Sequence, residues 1–79
     1  MSGATRLVVA VGETYAKVAG GGAQADTVLA VAQRVYSYFT SKGGDPAKAT
    51  VSEADGKVRV TDGATTVECD AGGSCSEAR

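Results

Sequence analysis

Apolar and polar positions along the chain change period twice. Thr5 to Val11 (TRLVVAV) is rich in β-branched residues and predicts a buried strand. Gly12 and Glu13 follow, then Thr14 to Ala19 (TYAKVA). Two strand-like runs joined by a two-residue Gly-X link predict a hairpin. In its second strand Ala16 and Val18 are expected to face inward and Lys17 to face water. Gly20 to Ala23 (GGGA) read as a linker-like loop. Val28, Leu29, Val31, Ala32, Val35, Tyr36 and Phe39 then recur at spacings of three and four, which predicts an amphipathic helix over Asp26 to Lys42. Asp26 is the expected N-cap, Gly43 or Gly44 the left-handed residue at the C-terminus, and Pro46 forbids continuation.

Beyond the helix the period returns to two. Asp55-Gly56 and Asp62-Gly63 each sit between short runs carrying Val51, Val58 with Val60, and Val67, and Asp-Gly in that setting is a turn signal. The last run, Thr65 to Cys69, places Val67 and Cys69 on one face, so Cys69 is expected to be a small buried hydrophobe. The expected order is strand, strand, helix, strand, strand, strand. One long helix covers one face of a mixed sheet, an α+β architecture.

Composition narrows the function. Seventy-nine residues make one domain with a small core. The net charge is −1 and the cations are scattered, which argues against a nucleic-acid partner. The apolar run near the amino terminus is too short for a signal core or a membrane span, and a cytoplasmic protein is expected. There is no histidine, which removes the usual general base and the commonest zinc ligand. No catalytic or metal-binding set is expected: no acid pair converges, and Gly20 to Gly22 lack the Lys-Ser/Thr of a phosphate-binding loop. The two cysteines, Cys69 and Cys75, allow a disulfide across CDAGGSC, because glycines bend sharply; in a reducing cytoplasm both are expected as free thiols.

Four stretches in order resemble ubiquitin and its bacterial sulfur-carrier relatives: GETYAKVA, ADTVLAV, KGGDPAKATVSEADGK and TDGATTVECDAGG. The resemblance implies a β-grasp fold, ββαβββ, with the first and last strands parallel and adjacent. It divides the chain into a domain over 1–73 and a cleavable or disordered tail over 74–79. It implies a protein modifier, made as a precursor and cut between Gly73 and Ser74 by a zinc-dependent JAMM-type peptidase. Gly72 and Gly73 would then be the conjugation and activation site. An activating enzyme would adenylate Gly73 with its own ATP, the modifier itself needing no cofactor, and a conjugating enzyme would pass it to a target protein. Bacterial operons of this kind include antiviral defence systems. Lys17, Lys42, Lys48 and Lys57 are candidate acceptors for a second copy, though as surface lysines they also need no function. Two other readings stand beside this one: a sulfur carrier with a thiocarboxylate at Gly73, and a non-conjugated small interaction module.

Overall fold

The structure, a computed structural model, describes residues 3–20, 22 and 24–78. Two helices, α1 (Gly3–Val18) and α2 (Ala25–Ser41), precede four strands, β1 (Thr50–Ala54), β2 (Lys57–Thr61), β3 (Thr66–Cys69) and β4 (Cys75–Glu77). The strands form an antiparallel meander in chain order, and both helices lie on one of its faces, α1 over β1 and β2, α2 over β3. The α+β class is as the sequence predicts. The ββαβββ order and the parallel pair of first and last strands are not formed, since every strand pair is antiparallel.

The expected amino-terminal hairpin is instead α1. Leu7, Val11 and Tyr15, spaced by four, make a stripe that only a helix gathers on one side, and all three are buried. A short β-branched run is compatible with either structure, and the tertiary context overrides its strand propensity. The meander presents Val58, Val60, Val67 and Cys69 on one face, all buried. α2 supplies Val31, Ala32, Val35 and Phe39 against them, and α1 completes the cover. The opposite sheet face is polar; Arg59 and Glu68 pair across β2 and β3 at 3.5 Å.

Helix α2 and the turns follow the sequence closely. Its N-cap is Gln24 rather than Asp26, which lies in the first turn, where a carboxylate meets the positive end of the helix. At the other end Gly43 takes φ +90°. Gly43 N–H donates to Thr40 O at 3.0 Å and Gly44 N–H to Phe39 O at 3.0 Å, the paired bonds of a Schellman ending. Asp55 and Gly56 both have positive φ, 54° and 74°, as a type I′ hairpin turn requires. Asp62 organises the next turn: its carboxylate accepts from Ala64 and Thr65 N–H at 2.9 and 2.6 Å, and from Asp45 N–H at 2.9 Å.

The segment expected as a tail carries β4, which pairs with β3 and is tied to it by a Cys69–Cys75 disulfide. The free-thiol and disordered-tail expectations therefore give way. Cys69 and Cys75 are direct cross-strand partners with Cα atoms 4.0 Å apart, a placement the linear spacing does not reveal. Cys69 is buried, as expected. Arg79 of that segment, and positions 21 and 23 of the glycine-rich loop, lie outside the described residues.

Candidate functional site: a closed hairpin and a helical groove

The diglycine lies in the link between β3 and β4, and its surroundings are built residue by residue. Asp70 folds the link: its Oδ1 accepts from Gly72 N–H at 2.9 Å and Ser74 N–H at 3.0 Å. Asp70 N–H donates to Ser74 O at 2.9 Å, and Gly73 N–H to Asp70 O at 3.0 Å. Gly73 turns the chain with φ +84° and is buried against α2, where a Cβ would stand 2.9 Å from Arg34 Nη1 and 3.7 Å from Val31 Cγ2. Tyr15 Oη of α1 donates to Ala71 O at 2.7 Å, pinning the link to the helices.

Gly72 and Gly73 are thus a reverse turn inside a covalent ring, not an extended end. The chemistry has a direct consequence. Hydrolysis of the Gly73–Ser74 bond in the oxidised chain leaves Ser74 and everything after it attached through Cys75. Hydrolysis alone exposes the Gly73 carboxylate, but detaching the segment that begins at Ser74 takes reduction as well.

The four lysines are exposed and lie on different elements. Lys17 lies in the last turn of α1, Lys42 caps α2 with Nζ 5.4 Å from the Tyr38 ring centroid, Lys48 lies in the link before β1, and Lys57 opens β2. Among the described residues no group of three metal-ligating side chains converges.

A second feature lies on the outer side of the helix pair. At Gly12 of α1 the helices pack closely: a Cβ there would be 3.3 Å from Val28 Cγ1 and 3.8 Å from Ala32 Cβ. With Ala16, Ala25 and Ala32 it makes a floor of small residues, and Val8, Val9, Val28 and Leu29 wall a groove of about 400 Å³. Val9 and Leu29 are 50% and 52% exposed, the large hydrophobic side chains that stand out among the described residues. Glu13 is the charged residue lining the groove. Reading Gly12-Glu13 as a turn hides this site. Its sequence signal is the width of the apolar arc on α2, where Leu29 lies beyond the stripe of Val31, Val35 and Phe39 that the sheet uses.

No protein-family model, curated protein or solved structure matches the chain. No helix among the described residues is long and apolar enough to cross a membrane.

Proposed function

We propose that this chain is a small non-catalytic interaction module that holds an amphipathic partner helix, with a basic residue on its flank, in the groove between α1 and α2. The observation that carries this reading is the half-exposure of Val9 and Leu29 on either side of a small-residue floor. Apolar side chains left in water beside a concave seam are stabilised when a third helix covers them. The acidic Glu13 sets the polarity of the partner: a lysine or arginine on its flank meets an opposite charge. The ring around Gly73 favours this reading over a conjugated modifier or a sulfur carrier, both of which need an extended, free carboxylate.

The test uses a synthetic 18-residue amphipathic peptide of Leu, Ala and Lys with its lysines flanking the apolar face, titrated into isotope-labelled protein. Amide shifts are expected at Val8, Val9, Gly12, Ala16, Val28 and Leu29. Leu29→Glu is expected to weaken binding about tenfold or more, since one buried leucine is worth ~1.5–3 kcal/mol. Glu13→Lys is expected to shift preference to a peptide with glutamates in place of the lysines. Shifts centred on residues 70–74, or binding indifferent to Leu29→Glu, would overturn the reading.

A further inference from the structure

We propose that the Cys69–Cys75 disulfide is a redox latch: closed, it holds β4 over the edge of β3, and opened by a dithiol it frees that edge to take an extended peptide in the place of β4. The observation behind this is how little apolar surface β4 buries beyond its ladder to β3. The strand has three residues, of which Ser76 and Glu77 are exposed, and within it Cys75 alone packs on the core. A strand of that length contributes few ladder bonds and little apolar burial, so opening the covalent tie removes the largest single restraint on it.

The two sulfurs differ in access. Cys69 is 1% exposed, whereas Cys75 is only partly covered. An incoming thiolate therefore reaches Cys75 Sγ and forms a mixed disulfide with it, expelling Cys69 as a thiolate that takes up a proton. The second thiol of the reductant then displaces Cys75, which also ends as a thiol, and the reductant leaves as a cyclic disulfide. Two electrons and two protons pass to the protein. The Cys69 thiol remains in the core as a small apolar group, at home beside Val67 and Val58. The core beneath β3 is thus kept while β4 is released.

The edge uncovered is already shaped for a strand. Thr66 O accepts from Ala78 N–H at 2.9 Å and Asp70 N–H donates to Ser74 O at 2.9 Å. By the alternation of an antiparallel ladder, the backbone of Glu68 between them faces the same way. The pairing of β4 specifies the occupant: a small apolar residue opposite Cys69, followed by a polar one opposite Glu68.

The experiment is amide hydrogen exchange on the full chain, oxidised and in dithiothreitol, with thiol content measured by mass after alkylation. Protection at Glu68, Asp70 and Ala78 is expected to fall about tenfold or more on reduction while Val58 and Val60 in β2 keep theirs, the behaviour of a local opening. Cys75→Ser is expected to show the same pattern without reductant. A peptide copying residues 72–78 with alanine for the cysteine is expected to restore protection at Glu68 and Asp70 in the reduced protein only. Unchanged protection with both thiols free would overturn the latch. Loss of β2 protection together with β4 would show a structural staple instead. A reduced edge that stays unprotected with the peptide present would overturn its role as a docking edge.

Discussion

Gly44 stands behind the C-terminus of α2 with its backbone against the tip of the Phe39 ring. A Cβ at Gly44 would lie 2.4 Å from Phe39 Cζ and 2.5 Å from both Cε atoms. Carbon atoms pack at about 3.5–4.0 Å, so the methyl group of Gly44→Ala demands a displacement of roughly 1 Å or more. Phe39 has no room to give way, being fully buried with Val35, Val58, Val60 and Val67 in the same cluster. Overpacking of this kind costs ~1–3 kcal/mol. In a domain of this size ~2–3 kcal/mol lowers Tm by about 10–20 °C. The three atoms struck are the three that Phe39→Leu removes, which makes a double-mutant cycle decisive. Phe39→Leu alone is expected to cost about 1–2 kcal/mol for the lost ring. In that background Gly44→Ala is expected to cost under about 1 kcal/mol, leaving a coupling of ~2 kcal/mol between the sites. Thermal melts of the four proteins by circular dichroism read all these values. A Gly44→Ala protein melting within a few degrees of wild type, or additive effects around the cycle, would refute the reasoning.

The two glycines of the ring are expected to separate sharply. Gly73→Ala should cost about 1–2 kcal/mol, because a methyl at φ +84° is strained and Arg34 must also move, whereas Gly72→Ala should be near neutral on denaturant titration. Asp62 titrates below its ordinary value of 3.8 because Thr65, Asp45 and Ala64 N–H groups bond its ionised form. A depressed folded pKa means that its contribution is complete above the unfolded value and is lost as pH falls through the folded one. Wild type should therefore lose stability below pH 3.8 faster than Asp62→Ala, with parallel curves between pH 5 and 7, as melts across pH would show. Val35→Asp should leave the chain unfolded at 25 °C by far-UV circular dichroism, since it places an unpaired charge at a fully buried position.

What the sequence determined by itself is local. Helix α2, its ending at Gly43 or Gly44 and the Asp-Gly turns were legible because their signals lie within a few residues: a three-and-four period, a glycine where φ must be positive, an aspartate that accepts from its own turn. The α+β class followed from the same signals. Burial of Cys69 followed from its alternation with Val67. The tertiary structure decided the rest. Residues 5–11 satisfy a strand or a helix equally well on local grounds. The choice fell to α1 because Leu7, Val11 and Tyr15 meet β1 and β2 only when gathered on a helical stripe. Once that stretch is helical, no amino-terminal strand is left to pair with β3, and β4 takes the place beside it. That pairing sets Cys75 opposite Cys69, turns the diglycine into a reverse turn and leaves Tyr15 in reach of Ala71. The groove at Gly12 likewise exists only between two packed helices. Each of these features depends on contacts between residues far apart in the chain, which no short window of sequence contains.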